Sequence, residues 1–290
     1  SGPAPILASV SPLKEATIAI IGTGAMAEAM IAGLLAGGHV EAAQVIASDP
    51  RAERREAVEA RYGIRTTVSN TEAAEDADVV VLAIKPQMLL RVGRELSTVL
   101  GPNQVVISIL AGSTTKALGN ALRHDAIVRA MPNTPAQLGK GMTVWCATAQ
   151  VGDLQREQAA ALLSSLGKEL QVEDEKYVSM STAVSGTGPA YVFLVMEALI
   201  DAAVHLGFPR HIAHDLVIET LLGGTLLAQE SGDHPAYLRN MVTSPAGTSA
   251  AAIAEMEKGR LRTVLSEAVF AAYRRTEELG RELEEETSAE

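Results

Sequence analysis

Short runs of β-branched and aliphatic residues alternate with amphipathic stretches over the first half of the chain, and that alternation predicts its architecture. Runs at 17–21, 44–48, 78–84, 104–109 and 126–130 are rich in valine and isoleucine and read as strands. Segments of helical period lie between them, among them Pro50 to Tyr62 and Met88 to Leu100. The run Val79-Val80-Val81-Leu82-Ala83-Ile84 is apolar at every position, as a central parallel strand covered on both faces must be. A strand-like run at 142–147, a helix at 153–165 and a strand at 168–172 extend the sheet. The pattern predicts a doubly wound α/β domain with a mostly parallel sheet and right-handed crossovers over residues 16–175.

The character changes near Tyr177, where strand signals vanish and helical patterns follow at 190–206, 210–231 and 260–281. The first of these is apolar nearly all round, through Tyr191, Phe193, Leu194, Val195, Met196, Leu199, Ile200 and Val204. A helix apolar on every side must be buried on every side. A small all-helical domain at 176–281 cannot do that alone, so this domain is predicted to be a subunit interface. Residues 1–15, with Pro3, Pro5 and Pro12, read as a loose tail, and the acidic end at 282–290 reads as a solvated one.

Composition narrows the function. With 47% hydrophobic and 20% charged residues, the 290-residue chain is that of a folded protein of two ordinary domains. The net charge, 24 − 35 = −11, argues against a nucleic-acid surface. The densest basic cluster, Arg51, Arg54 and Arg55, is interleaved with Glu53 and Glu56. Cys146 is the single cysteine; it excludes an intrachain disulfide, fits a reducing compartment, and reads as a buried thiol in a strand. No apolar run has the length of a membrane span, since Glu197 and Asp201 interrupt Tyr191 to Leu206, and the N-terminus has no signal pattern. A cytoplasmic protein is expected. Glu197, Asp201 and His205 share one helical face, as a relay, a metal site or, preferred here, an ion-paired polar edge. No metal is expected.

Five loops carry candidate chemistry. The first, Gly22-x-Gly24-x-x-Ala27, joins a strand to a helix. Gly22 allows the tight turn, Gly24 lets the backbone approach a pyrophosphate, and the small Ala27 lets helix pack on strand. The helix N-terminus that follows, opening the Ala-rich segment Glu28 to Leu35, offers N–H groups to an anion. A tight βα turn without a ligand is the alternative. The second loop, Ala83-Ile84-Lys85-Pro86, follows the central strand; Lys85 either meets a ribose or phosphate oxygen or simply faces solvent before a Pro-started helix. The third, Arg129-Ala130-Met131-Pro132-Asn133-Thr134-Pro135, holds Asn133 and Thr134 between two prolines, a rigidity suited to orienting a nicotinamide ring. The fourth is Ser185-Gly186-Thr187-Gly188-Pro189, at the domain junction. The fifth is Ser244-Pro245-Ala246-Gly247-Thr248-Ser249, where hydroxyls at a helix start suit a substrate carboxylate. For either of these two alone, ordinary helix capping explains the residues.

Taken together, in this order and over residues 17 to about 281, these segments and His234-Pro235 resemble the pyrroline-5-carboxylate reductase family. The resemblance implies a Rossmann domain, then a helical domain that interlocks with a partner's in a dimer, often within a decamer. It implies reduction of 1-pyrroline-5-carboxylate to L-proline by hydride from NAD(P)H, the last step of proline biosynthesis. It assigns the cofactor to Gly22, Gly24, Ala25, Met26, Ala27, Ser48, Asp49, Arg51, Asn70, Ala83, Lys85, Pro86, Ala111, Gly112 and Asn133. It assigns the substrate to Gly186, Thr187, Ser244, Gly247, Thr248 and Ser249, with Thr248 and Ser249 the catalytic pair. The residues fit such a reaction independently: the junction loops carry no obvious His or Lys base, and an imine that binds protonated needs none.

The chain departs from the family pattern in two places. Ser249 stands where threonine is usual, keeping the hydroxyl with a freer rotamer, and Ala246 replaces a usual glycine. The cofactor's identity is divided. Asp49 lies where an acid binds a ribose 2′-OH and repels a 2′-phosphate, while Arg51, Arg54 and Arg55 would neutralise that phosphate. Family grounds favour NADPH, with NADH as the alternative. A 3-hydroxy-acid dehydrogenase shares the two-domain plan but would place a lysine in 190–206, which holds none. A non-enzymatic dinucleotide sensor would not need the third and fifth loops.

Overall fold

The structure, a computed structural model, describes residues 11–289. The β-branched runs become strands β1 (Ile18–Ile21), β2 (Val45–Ser48), β4 (Val79–Leu82), β5 (Val105–Ser108) and β6 (Ile127–Met131). A three-residue strand, β3 (Arg65–Thr67), escapes the hydrophobic pattern because only Thr67 is buried. Strands β7 (Gly141–Ala147) and β8 (Gly167–Gln171) complete an eight-stranded sheet of order β3-β2-β1-β4-β5-β6-β7-β8. All neighbours are parallel except β6 and β7. The sheet is flanked by α1 (Ala25–Ala36), α2 (Ala52–Tyr62), α3 (Asn70–Ala74), α4 (Leu89–Leu96), α5 (Thr115–Leu122) and α6 (Asp153–Ser164). Side chains of β1, β4 and β5 are buried on both faces, in two separate apolar clusters, which is why these strands read as unbroken apolar runs.

Register positions the ligand edge. Ile21 pairs with both Ser48 and Leu82, and Leu82 pairs with Ser108, so the strands end level with one another. The next residues, Gly22, Asp49, Ala83 and Ile109, therefore start their loops side by side at the carboxyl edge. The strand order reverses direction between β1 and β4, so this edge is also a topological switch point.

Helices follow: α7 (Lys176–Ser181), a π-helical turn at Thr182–Gly186, α8 (Gly188–Leu206), α9 (Arg210–Ser231), α10 (Pro235–Met241), α11 (Thr248–Lys258) and α12 (Leu261–Ser288). The described chain forms two compact units, one running through Thr187 and resuming at Ala272, the other Gly188–Ala271. The division falls ten residues beyond Tyr177, where the sequence pattern changes, because α7 packs on β6 and β7. In the second unit α8 lies along α9, and Tyr191, Val195, Met196, Ile218, Leu221 and Leu222 line a groove of about 450 Å³ between them. Only Ala213 and Val217 of this unit are buried within the chain itself.

Three sequence expectations are corrected. Residues 1–10 lie outside the described residues, but 11–15 are no loose tail. Leu13 is fully buried, and the Gln44 amide donates to the carbonyls of Leu13, Lys14 and Ala16. The acidic end is no solvated tail either. It continues α12 to Ser288, with Thr276, Gly280, Leu283 and Thr287 buried along one face against the first unit. Finally, α7, the π turn and α8 join into one 31-residue helical stretch, Lys176–Leu206, long and apolar enough to cross a membrane despite Glu197 and Asp201.

Candidate functional site

The glycine turn shows two different uses of a missing side chain. Gly22 has φ +98°, and a Cβ there would stand 2.6 Å from the carbonyl oxygen of Ala83, so the turn closes only with glycine. Gly24 caps α1 with extended backbone and no side-chain cap, and a Cβ there would meet nothing within 4 Å. Space is thus left in front of a helix start whose first N–H groups have no intrahelical acceptor. That is the fit a pyrophosphate requires.

Beside it, Gly24, Ala25, Met26, Ala27, Ala83, Ile84, Lys85, Ile109, Met131, Pro132, Asn133, Thr134 and Gly186 line one cavity of about 350 Å³. The first, second and third candidate loops and the start of the fourth therefore meet at one place. Lys85 is exposed at its edge, just before the 3₁₀ turn that Pro86 begins. Asn133 is fixed at both ends of its amide. Its oxygen accepts from the Met142 N–H (2.9 Å), and its nitrogen donates to the Ser185 carbonyl (3.0 Å). A side chain on Gly186 would have to displace the Met131 methyl, which lies 2.6 Å from where its Cβ would stand. The Thr187 hydroxyl and N–H both donate to the Thr182 carbonyl at 2.8 Å, closing the π turn.

Asp49 differs from what its position suggests. Its carboxylate is buried and receives the Thr23 N–H (3.1 Å) and hydroxyl (2.8 Å), the Arg51 N–H (3.0 Å), and a two-pronged contact from the Arg51 guanidinium (2.9 Å each). Five donors fill a carboxylate that has about four lone-pair sites. Burial alone would raise this carboxyl's pKa. The Arg51 side chain and N–H, followed by those of Thr23, outweigh burial and hold it well below the usual carboxylate range. Asp49 therefore pins the glycine turn through Thr23. Arg55 donates to the Asp49 carbonyl (2.7 Å), and Arg54 to the Thr23 carbonyl and to Glu28 (2.9 Å). Sequence reasoning missed Thr23, whose only signal is its place between the two glycines. Asn70 likewise holds Ser48 (2.7 Å) and is held by Glu95 (2.6 Å).

Ala111 and Gly112 lie in the β5–α5 loop, where Gly112 takes the left-handed φ of +76°. Arg129 on β6 is buried and pairs with Glu175 (2.7 Å). Burial, with the Glu175 charge next, pushes the Cys146 thiol up to about 11, the value of an unreactive core cysteine.

Ser244, Gly247, Thr248 and Ser249 belong to the second unit. Gly247 caps α11 without a side-chain bond, so the first-turn N–H groups have no cap acceptor, with Thr248 exposed and Ser249 half-buried beside them. A Cβ on Gly247 would displace the Ser244 hydroxyl. Ala246 takes φ +57°, a left-handed conformation that explains the usual glycine. His234 is a helix cap, its Nδ1 accepting the Ala236 N–H at 3.1 Å. Asp201 pairs with Arg210 at 3.0 Å, and no cluster of metal-ligating side chains occurs among the described residues.

Comparison with known proteins adds a second line of evidence. Residues 175–279 match the family described as pyrroline-5-carboxylate reductase dimerisation, and residues 17–112 match NADP oxidoreductase, coenzyme F420-dependent. A pyrroline-5-carboxylate reductase of Pseudomonas aeruginosa is 45% identical over 92% of this chain and 97% of its own length. The solved pyrroline-5-carboxylate reductase of Coxiella burnetii is 36% identical with a TM-score of 0.85, covering 91% of this chain and 98% of that one. The Plasmodium falciparum pyrroline carboxylate reductase, solved with NADP bound, is 27% identical with a TM-score of 0.84 over 92% and 99%.

Proposed function

Since the chain belongs to the pyrroline-5-carboxylate reductase family, we propose that it reduces 1-pyrroline-5-carboxylate to L-proline with NAD(P)H. The observation that carries this reading is the convergence of Gly24–Ala27, Ala83–Lys85 and Met131–Thr134 on one cavity at the carboxyl edge of the sheet. When bound, the reduced dinucleotide would supply a hydride to the carbon of an imine that binds already protonated on nitrogen, so that C=NH⁺ becomes CH–NH. The chain's own task is to position. The α1 start takes the pyrophosphate, and Asn133, immobilised by Met142 and Ser185, stiffens the platform for the ring. Thr248 and Ser249, at the α11 start, receive the substrate's carboxylate and ring nitrogen, with Ser244 and Gly247 shaping that turn.

NADPH is the preferred donor in this reading. Asp49 has no acceptor site left for a ribose 2′-OH, and Arg51 cancels the charge that would repel a 2′-phosphate. Oxidation of NADPH by the cyclic imine tests the reaction, and a catalytic efficiency with NADH tenfold above that with NADPH overturns the preference. Replacing Arg51 with alanine frees Asp49 and is expected to shift the preference toward NADH by about tenfold.

Self-association follows from the helical unit, whose apolar surface also accounts for the membrane-length stretch at 176–206. We assign an interlocked dimer that completes the substrate site. The single buried thiol supports a cytoplasmic location.

A further inference from the structure

The chain enters its helical unit after Thr187 and leaves it at Ala272, and both flanking segments send a carboxylate to the same place. Glu175, just before α7, accepts the Thr115 N–H and hydroxyl, each at 2.7 Å. Glu284, on α12, accepts the Thr114 hydroxyl at 2.7 Å and faces Lys116 at 3.4 Å. Thr114 in turn caps α5 by accepting the Ala117 N–H at 3.1 Å. The α5 start is thus filled by the protein's own groups, unlike the open start of α1.

The loop that these contacts terminate, Ile109–Ser113, has one backbone bond of its own, from the Ser113 N–H to the Leu110 carbonyl at 3.4 Å. Gly112 is left-handed, and the Ser113 hydroxyl is fully buried with no hydrogen-bond partner. Support comes from α12. A Cβ on Gly112 would lie 3.1 Å from the Cβ of Leu279, and one on Gly280 would lie 3.4 Å from the Gly112 carbonyl oxygen. Ile109, at the other end of the loop, lines the cofactor cavity.

We propose that Glu175 and Glu284 are positioning residues for the dinucleotide. They clamp the start of α5 so that the Ile109–Ser113 loop keeps the conformation that receives the cofactor. The proposal rests on the assignment of Ala111 and Gly112 to the dinucleotide site. It gives the acidic end of α12 a task at the active site of its own chain.

The test is titration of the full-length protein with NADPH, read by nucleotide fluorescence, beside steady-state constants and Tm. Glu284→Ala is expected to raise the NADPH Kd about fivefold with the imine KM unchanged. Glu284→Gln, whose amide oxygen still accepts from Thr114, is expected to restore it. The pair Glu175→Ala with Glu284→Ala is expected to exceed the product of the single effects, because each carboxylate alone still holds part of the helix start. An unchanged Kd in Glu284→Ala overturns the clamp, whether or not Tm falls, and so does an equal loss in Glu284→Gln. If the unaltered chain bound no NADPH, the cofactor assignment itself would fall and the clamp with it.

Discussion

The two compact units solve burial in opposite ways. In the first, the strands β1, β4 and β5 are wholly buried, and even the polar Thr23 and Asp49 are closed off. In the second, Phe193, Leu194, Leu206 and Phe270 are exposed by 60%, 66%, 84% and 60%, although the helices are long and regular. The lone chain buries the central strands of its dinucleotide unit on both faces but, of its helical unit, only Ala213 and Val217. Apolar surface on that scale belongs against another chain.

The strongest way to break the comparison is to charge the exposed face. Leu194→Glu is expected to abolish self-association and lower turnover about 100-fold, while NADPH still binds. Light scattering with fluorescence titration checks both, and an assembly of unaltered mass would contradict the contrast. Next comes Ser249→Ala, expected to cut kcat about 100-fold at an unchanged NADPH Kd, since the hydroxyl sits in the helical unit and not the cofactor cavity. An unchanged kcat removes Ser249 from the chemistry. A smaller effect separates the two glycines. Gly24→Val should weaken NADPH binding about tenfold with little change in Tm, because its Cβ enters open space. Gly22→Ala should instead destabilise the fold by about 2–4 kcal/mol, by collision with Ala83 and a disallowed φ.

The smallest effect concerns Cys146. Its native thiol is raised to about 11, so the stability it contributes is present below the unfolded thiol's pKa and is lost as pH rises through the native one. Alkylation at pH 8 should require denaturation, and rapid labelling of native protein would show the strand pair β6–β7 to be open. Asp49 has the opposite sign. Held low, it contributes stability at all pH above the ordinary carboxylate range and loses it only in acid, so it adds no titration of NADPH binding near neutrality.

How much of this was legible follows from what is local. The strands and the loops after them could be read from β-branched runs, glycines and prolines, because those signals lie within a few residues of one another. The three residues of β3, of which only Thr67 is buried, carry no such signal, and the antiparallel turn from β6 to β7 depends on pairing, not pattern. Asp49 was legible as a position but not as a state. Whether it is free to bind a ribose depends on where Thr23 and Arg51 put their donors, and no spacing encodes that. Residues 282–290 looked like a tail because their charges outnumber their apolar residues, yet Leu283, with small neighbours at 276, 280 and 287, and Glu284, through Thr114, dock the segment.

That docking sets an order of events during synthesis. Helix α12 runs without interruption from Leu261 to Ser288, about 42 Å, and its second half supplies a wall of the unit whose first strand begins at Ile18. The cofactor unit is therefore begun first and closed last. A nascent chain must make the whole helical unit, with its uncovered leucines and phenylalanines, before Leu283 is available to seal the nucleotide-binding core. Truncation before residue 272 would accordingly injure the amino-terminal unit most, uncovering the α5 start, 170 residues away in sequence from the carboxylate that holds it.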